Sequence, residues 1–287
     1  MNSMVTVLIT FYNSEKYIWK ALDSIYEQTY DNWKLILVDD ASTDNSVNLI
    51  QPYLKDPRIK LVRHSYNQGQ SKSLNTGLAN IDTPYFIQLD ADDWFYPNTL
   101  EVLMEEYSNQ PDDVALLSGN INIVTEDETG KISPLIIKKG AAYSDKYQFL
   151  LANSSAWPRC YRTSILKTMG GWPIDDPQEG RYVEDIRILL RLIENYRFHW
   201  VDKELLYHRR HHTNMTNSKI KETADTYRWI IKNTLIRWGD KYKPNFRYHE
   251  DGNISLTGLT LKSERLPLRK PLGVGQEPKV FKKGFNT

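Results

Sequence analysis

Tyr85-Phe86-Ile87-Gln88-Leu89-Asp90-Ala91-Asp92-Asp93 joins a short apolar run to three closely spaced carboxylates. An apolar run of this length is typical of a strand that is buried in a parallel sheet. Like charges this close repel each other unless a cation lies between them. Carboxylate oxygens suit Mg²⁺ or Mn²⁺, so the cluster indicates a metal site, with a solvated acidic turn as the alternative.

Further elements precede this strand. Continuous apolar runs predict strands over residues 5–10, 34–38 and 59–63, in addition to 85–89. Apolar spacing and capping residues predict helices over residues 14–28, 42–50 and 71–80. This alternation predicts a doubly wound, mostly parallel α/β sheet with right-handed crossovers and flanking helices.

Polar residues follow three of the predicted strands at the point where each strand ends. They are Thr10 and Tyr12, Asp39 and Asp40, and Asp90 and Asp92. In open α/β sheets, ligands bind beyond the carboxyl ends of the strands. The sequence therefore predicts one binding rim. The alternative for the second cluster is a helix cap, a role that suits Asp44 while Asp40 remains a ligand residue.

The second half is less regular. Helices are predicted over 98–107, 146–153, 184–195 and 219–237, and from residue 163. Strands are predicted over 157–161, 198–201 and 205–208, with a strand pair inside 114–124. We expect a catalytic domain over 1–218, with a donor half to about 97 and an acceptor half from about 98. A helical region over 219–255 and a basic, flexible tail over 256–287 would form a C-terminal helical and extended extension.

Composition restricts the function classes. The net charge is +1, so the chain is not an obvious nucleic-acid binder. Cys160 is the single cysteine, which excludes an internal disulfide framework and favours a cytoplasmic protein. Residues 262–287 carry seven Lys or Arg against two Glu, so this tail is a candidate for peripheral contact with the inner face of an anionic membrane. A solvated terminus is the alternative.

Several motifs occur together in a fixed order. They are Val7-Leu8-Ile9-Thr10-Phe11-Tyr12-Asn13, Ser24-Ile25-Tyr26-Glu27-Gln28-Thr29-Tyr30, Val38-Asp39-Asp40-Ala41-Ser42-Thr43-Asp44, Asn67-Gln68-Gly69 with Asn75-Thr76-Gly77, and Leu89-Asp90-Ala91-Asp92-Asp93. As an ordered set they resemble the family 2 glycosyltransferases, which have the GT-A fold. The resemblance is close over about the first 100 residues.

The resemblance implies a nucleotide-diphosphate sugar as donor, and specifically a UDP-sugar. Residues with implied donor contacts are Thr10, Tyr12, Asp40, Gly69, Lys72, Asn75, Asp90, Ala91 and Asp92. Tyr12 and Asp40 would contact the base, Asp90 the ribose or the outer metal shell, and Asp92 the Mn²⁺ or Mg²⁺ ion. Many relatives carry an arginine just before the asparagine at 75; Leu74 stands there, so the positive charge is assigned to Lys72.

Tyr182-Val183-Glu184-Asp185 resembles the Glu-Asp element of the family, which implies that Asp185 is the catalytic base. The alternative is that both acids simply favour a helix N-terminus. The stretch from Arg209 to Thr216 resembles a further segment, in which His211 would complete the metal shell. Trp157, Trp172 and Glu184 are acceptor-side candidates, with core packing equally compatible for the tryptophans.

The resulting hypothesis is a metal-dependent inverting transferase of hexosyl or N-acetylhexosaminyl type. Its acceptor would be a hydroxyl of a glycan, a lipid-linked molecule or another compound in the synthesis of cell-surface polysaccharide or glycoconjugate. A processive synthase is disfavoured because Arg228-Trp229 and Arg237-Trp238 lack the glutamine of Q-x-x-R-W. A nucleotidylyltransferase is disfavoured because it would need a glycine-rich loop after the first strand, and this sequence has no glycine there.

A zinc site built on His208, His211 and His212 is disfavoured, because no cysteine assists and the spacing lacks an H-E-x-x-H helix. A nucleotide- or glycan-binding module of the same fold without transfer activity is the remaining alternative; it is disfavoured because both the metal carboxylates and the candidate base are present.

Overall fold

The computed structural model describes residues 4–127, 129–152, 156–211 and 219–262. Its strands are β1 Val5–Phe11, β2 Trp33–Asp39, β3 Ile59–Arg63, β4 Tyr85–Gln88, β5 Trp94–Phe95, β6 Val114–Glu126, β7 Ile132–Lys138, β8 Arg159–Arg162, β9 Arg197–Arg210, β10 Tyr242–Tyr248 and β11 Ile254–Leu261. Its helices are α1 Ile18–Tyr26, α2 Ser46–Ile50, α3 Gln70–Asn80, α4 Thr99–Ser108, α5 Lys146–Ala152, α6 Thr163–Thr168, α7 Glu184–Leu192 and α8 Ile220–Arg237, with a 3₁₀ turn over Tyr53–Lys55.

The first four strands form a parallel sheet in the order β3-β2-β1-β4. β1 and β2 run in register from Val5 opposite Trp33 to Phe11 opposite Asp39. All seven residues of β1 are buried, as expected of a strand covered on both faces. The predicted α/β sheet is confirmed, and the carboxyl ends of its parallel strands meet at one edge.

Strands of the second half extend this sheet in the order β8-β6-β9-β5, with β7 paired to β6. β8 runs antiparallel to β4 and to β6, whereas β6 and β9 run parallel. The predicted strand pair inside 114–124 is one continuous strand, and so are the two strands predicted over 198–208. Residues 202–204 are polar, and this interruption of the apolar pattern suggested a break between two strands. In the structure, register shifts near Ser118 and Asn120 allow the β6–β9 ladder to continue past this polar stretch.

Helices cover both faces of the sheet. Ile18, Leu22 and Ile25 of α1 pack with the β1 residues Val7 and Ile9. On the opposite face Leu8 packs on α3 and belongs to an apolar cluster that includes residues of α7 and α8. α3 approaches so closely that a Cβ on its Gly77 would lie 2.3 Å from a methyl carbon of Leu8.

The C-terminal region shares this core. Ile230 and Ile231 of α8 and Leu256 of β11 lie in the same apolar cluster as Leu8. The expected tail boundary at 256 is wrong, because Ile254–Leu261 pairs with β10 in a hairpin. The basic residues 263–287 lie outside the described ranges. Of the helices in those ranges, none is both long and apolar enough to cross a bilayer.

Three residues other than glycine adopt the left-handed backbone region beside predicted site residues. Asn13 (φ 51°) follows β1 and Tyr12, Ala41 (φ 65°) follows Asp39-Asp40, and Val183 (φ 58°) precedes α7. This conformation costs an L-residue free energy, most of all a β-branched one such as Val183. Strain of this kind concentrates at functional sites, where the surrounding structure holds it in place.

The strain at Ala41 has a measurable consequence. We expect Ala41→Gly to raise the free energy of unfolding by about 0.5–1 kcal/mol, because relief of ~1–2 kcal/mol of left-handed strain exceeds the ~0.5–1 kcal/mol entropic cost of glycine. Urea denaturation measures the change. The same substitution at Ala224, inside α8, should instead lower that free energy by about 0.5–1 kcal/mol. A loss of stability in Ala41→Gly would contradict the argument.

Candidate functional site

The rim at the carboxyl edge of the parallel strands brings together the first residues that were predicted to contact the donor. Thr10 is buried, and its Oγ1 donates to Gln70 Oε1 at 3.1 Å. The Tyr12 side chain is 47% exposed beside it, so its ring is accessible to a planar ligand. The structure therefore places Thr10 inside the wall of the rim and Tyr12 on its surface.

Asp40 holds the loop that borders this rim. Its carboxylate accepts hydrogen bonds from the backbone N–H groups of Gln68 and Gly69, both at 2.8 Å. Its Oδ1 also lies 2.7 Å from His64 Nδ1. A carboxylate offers about four acceptor positions, so three of them already organise the loop and little capacity is left for a base. The base contact of Asp40 stays a prediction.

The neighbouring acids have structural partners. Asp39 is fully buried and accepts hydrogen bonds from Ser42 N at 2.8 Å and Arg63 Nε at 2.9 Å. Asp44 accepts from both the backbone N and the Oγ of Ser46, at the start of α2. Asp44 therefore hydrogen-bonds the first residue of α2, although the N-cap position itself is taken by Asn45.

Arg181 is a cation at the donor loop that sequence reasoning missed. Its guanidinium donates to the Asn67 side chain at 2.7 Å, across 114 residues of sequence. A Cβ on Gly69, whose φ is 94°, would lie only 2.7 Å from Arg181 Cγ, so glycine permits this contact. Lys72 instead donates to Glu179 at 2.6 Å on the surface. No local signal could have identified Arg181, because only the folded loop brings it to Asn67.

The Asn75 side chain is hydrogen-bonded to the backbone of Trp172. The Asn75 amide donates to the Trp172 carbonyl and accepts from its N–H, both at 2.8 Å. The Trp172 ring is 1% exposed and packs edge-on against Phe86 and Tyr161. Both polar ends of Asn75 are thus engaged with backbone, and the acceptor-side prediction for Trp172 is wrong because its ring lies in the core.

The three carboxylates after β4 point to three different partners. Asp93, which had no assigned role, is buried and accepts from Arg209 N at 2.8 Å, with His208 Nδ1 at 3.0 Å. Burial raises the pKa of Asp93 to about 6; His208 opposes this shift, and the charges of Asp92 and Asp90 add to it. Asp93 therefore anchors β9 to the strand end, whereas Asp90 and Asp92 are partly exposed. Ala91 between these two is buried.

Asp92 faces His211. Asp92 Oδ2 lies 3.1 Å from His211 Nε2, and the imidazole packs on Tyr17 with ring centroids 4.4 Å apart. A carboxylate and an imidazole at this distance fit two ligands of a divalent ion. The described residues hold no cluster of three or more His, Cys, Asp or Glu side chains with metal-binding geometry. Substrate oxygens would have to supply the other ligands, as is common for Mg²⁺.

The described histidines are not arranged as a zinc site. His208 pairs with Asp93 and stacks on Trp157, whereas His211 pairs with Asp92. His212, like the matched residues up to Thr216, lies outside the described ranges. The two described histidines thus serve different carboxylates.

Arg209 supports the Asp92 backbone. Its Nε donates to the Asp92 carbonyl at 2.9 Å, and its guanidinium pairs with the buried Glu126. The guanidinium also lies 4.7 Å from the Tyr17 ring centre and 4.9 Å from that of Trp94. This packing fixes the end of β9, immediately before His211.

Arg159 joins the two halves of the site. The residue is 3% exposed; its Nη2 lies 3.3 Å from Asp90 and its Nη1 lies 3.4 Å from Asp185. Burial alone would lower the pKa of Arg159, but the two carboxylates outweigh burial and the net shift is upward. The available sequence signal was an arginine beside Cys160 and Tyr161 in a buried strand, since a charge there requires partners.

The start of α7 presents Glu184 and Asp185. Its preceding loop is held by a buried ion pair between Arg187 and Asp176 at 2.5 Å. Burial, and then the neighbouring Asp185 charge, raise the pKa of Glu184 to about 8. At neutral pH Glu184 is therefore mostly protonated, while Asp185 faces the Arg159 guanidinium. Two adjacent acids thus have different environments, although both also lie in the first turn of a helix, where acidic residues are favoured in any case.

The raised pKa of Glu184 makes stability depend on pH. Between about pH 4.5 and about 8 the folded state keeps a proton that the unfolded state releases, so stability falls as pH rises through this window. We expect Glu184→Gln to remove this fall. By about pH 8 the free energy of unfolding of the variant should therefore have gained on the order of 1–3 kcal/mol relative to that of the unmodified chain. Urea denaturation across that pH range measures it. Glu105→Gln, on the exposed face of α4, is the control, and equal pH profiles for both variants would contradict the assignment.

Comparison with known proteins places the chain in a family. The sequence model for "Glycosyl transferase family 2" matches residues 6–170. An uncharacterized glycosyltransferase of Haemophilus influenzae is 35% identical over 130 residues, covering 45% of this chain and 40% of that protein. A teichoic acid poly(glycerol phosphate) polymerase of Staphylococcus epidermidis is 36% identical over 111 residues, covering 38% and 15% respectively. The matched regions thus span less than half the length of these relatives.

Solved structures share the fold. S. aureus TarS 1–349 with UDP-GlcNAc superposes with a TM-score of 0.65 at 22% identity, covering 81% of this chain and 66% of that one. The mannosyltransferase PcManGT of Pyrobaculum calidifontis, in complex with GDP-Man and Mn²⁺, superposes with a TM-score of 0.60 at 18% identity. The match covers 82% of this chain and 65% of that one. The expected GT-A-type α/β fold is confirmed. Since the family model matches more than half of the 287 residues, the chain belongs to glycosyl transferase family 2.

Proposed function

We propose that the chain is a metal-dependent inverting glycosyltransferase. It transfers a hexosyl or N-acetylhexosaminyl group from a UDP-sugar to a hydroxyl of a glycan, lipid-linked or other acceptor in the synthesis of cell-surface polysaccharide or glycoconjugate. The observation that carries the proposal is the Arg159 bridge. It places the candidate base Asp185 next to the donor-side carboxylate Asp90, although the two lie far apart in sequence.

The donor would lie along the rim. Tyr12 offers an exposed ring to the base, and the loop held by Asp40 borders the ribose and diphosphate. Arg181 takes over the cationic role that the resemblance assigned to Lys72, because its guanidinium lies at this loop. Complexes of similar folds with UDP, UDP-GlcNAc and GDP-Man support a nucleotide sugar as donor.

Asp92 and His211 would hold Mn²⁺ or Mg²⁺ together with the donor diphosphate. The bound ion would offset the negative charge that develops on the leaving diphosphate. Arg209 holds Asp92 through its backbone carbonyl, and Tyr17 packs against the His211 imidazole with the two rings tilted by 33°. About a third of the Asp90 side chain is exposed at the rim (32%), which leaves it accessible to the ribose or to the outer metal shell.

Asp185 would accept the proton of the acceptor hydroxyl as that oxygen attacks the anomeric carbon. Attack from the face opposite to the diphosphate inverts the configuration in one step. Arg159 holds the Asp185 carboxylate in position. Glu184, protonated near neutral pH, can donate a hydrogen bond to an acceptor oxygen. Trp157 offers a partly buried ring on the same side.

The donor assignment predicts metal-dependent nucleotide binding. Titration calorimetry should show UDP binding with Mn²⁺ or Mg²⁺ that chelation abolishes. Asp92→Ala should weaken it by more than about 10–100-fold, the usual effect of losing even an outer-shell partner of a metal. Asp31→Ala, at an exposed position, should leave binding unchanged. Absence of metal-dependent binding of any nucleoside diphosphate would contradict the proposal.

The base assignment predicts a separation of binding from transfer. Asp185→Asn keeps the size of the side chain, so donor affinity should stay within about twofold while transfer falls about 10²–10⁴-fold. Glu184→Gln is the matched control at the adjacent residue and should retain far more transfer. Radiolabelled-sugar transfer and UDP titration measure the two quantities. Full turnover by Asp185→Asn would exclude the base role; UDP binding without hydrolysis or transfer in the unmodified chain would favour a binding module.

A further inference from the structure

β7 exposes apolar side chains on both of its faces. Leu135, Ile136 and Ile137 are 53%, 58% and 48% exposed. Ile136 and Ile137 are successive residues of the regular β6–β7 ladder and therefore point to opposite faces, whereas Leu135 is the extra residue at the register shift beside them. A contiguous exposed apolar patch on a folded domain marks an interaction surface.

The strand lies at the margin of the sheet. In the ranges that the structure describes, β7 pairs with β6 alone, through an antiparallel ladder from Ile132 to Lys138. Its outer edge and both faces are therefore accessible together. An occupant must be able to cover apolar groups on two opposite faces.

Positive charge accompanies the apolar side chains. Residues 131–143 include Lys131, Lys138 and Lys139 and contain no acidic residue. Burial, and then the neighbouring Arg210 charge, lower the pKa of Lys138, so two cationic side chains lie close together at this end of β7. Lys139 pairs with Asp202 at 3.2 Å, but both side chains are largely exposed, and such a pair is weak.

Several features disfavour a second copy of the chain as the occupant. Pro134 has no N–H to donate to a partner strand, and the β6–β7 register shifts between Ile123 and Val124. Proline, lysine and bulges are the devices by which proteins prevent edge-to-edge pairing. A sheet from another molecule would also cover one face of β7 and leave the other exposed.

A lipid interface meets these conditions. Acyl chains surround both faces of a shallowly inserted strand, and the backbone groups of its open edge can still hydrogen-bond at the headgroup level. Lysines beside the apolar patch complement anionic headgroups. We propose that Leu135, Ile136, Ile137 and Lys138 form a membrane-docking surface, called the β7 surface below, that binds an anionic bilayer at interfacial depth.

The β7 surface is continuous with the candidate site. Lys138 Nζ lies 5.2 Å from the Trp157 ring centre, and the Arg159 guanidinium lies 5.6 Å from the same ring. Docking through β7 therefore brings the Asp185 side of the cleft close to the lipid headgroups. An acceptor carried by a membrane lipid would be presented there; this consequence rests on the proposed function, whereas docking itself does not.

Vesicle co-sedimentation of the full chain tests the proposal. The protein should sediment with vesicles of phosphatidylcholine and phosphatidylglycerol, and much less with phosphatidylcholine alone. Serine at all three apolar positions (Leu135→Ser, Ile136→Ser, Ile137→Ser) should weaken binding by about tenfold or more, because most of the insertable apolar area is lost. Lys138→Glu should weaken binding to the anionic vesicles by about tenfold, since attraction becomes repulsion.

Ile236→Ser is the matched control, because Ile236 is 60% exposed on α8, and its binding should equal that of the unmodified chain. Failure to bind anionic vesicles overturns the proposal, as does full binding by the triple variant, which would assign membrane contact to another segment. Concentration-dependent dimers in analytical ultracentrifugation that the triple variant abolishes, without vesicle binding, would assign β7 to self-association. Neither result bears on UDP binding, so the proposed function is tested separately.

Discussion

The buried guanidinium of Arg159 is the constraint on which the arrangement of the site depends. A cation with 3% exposure is tolerated only with carboxylate partners, and removal of one partner leaves a charge that is costly to bury. The partners are Asp90, at the end of a parallel strand, and Asp185, in the first turn of α7. β8 brings the arginine between them because it runs antiparallel to β4, with Arg159 opposite Gln88. One ion-pair network therefore sets the distance between the end of β4 and the start of α7.

The crowded carboxylates after β4 are accommodated by division of roles. Asp93 turns inward to β9, where a backbone N–H and His208 offset its burial. Asp92 turns to His211 and Asp90 to Arg159. Because each charge faces its own cationic or polar partner, the mutual repulsion is reduced, and Asp90 and Asp92 keep partial exposure at the rim.

Local patterns were sufficient for most of the fold and for part of the site. Buried strands read as apolar runs, and the bounds of β3 and the end of α8 coincide with those predicted. Polar residues at the strand ends did meet at one rim. The short β5 and the exposed β7 were missed, because a two-residue strand and a strand without a buried face lack the alternation that identifies a strand. The β10–β11 hairpin was missed although β10 does alternate between half-buried and exposed residues.

By itself, the sequence determined the α/β class, the ordered strand-end motifs and the family to which they belong, since these depend on local periodicity and on residue types at short spacing. Only the tertiary structure decided that Arg159 lies between Asp90 and Asp185 and that Arg181 reaches Asn67. It also decided that Asn75 binds the Trp172 backbone and that the Trp172 ring lies in the core. The physical reason is that these contacts join residues tens to more than a hundred positions apart. No local period encodes them, and they exist only once the sheet has assembled.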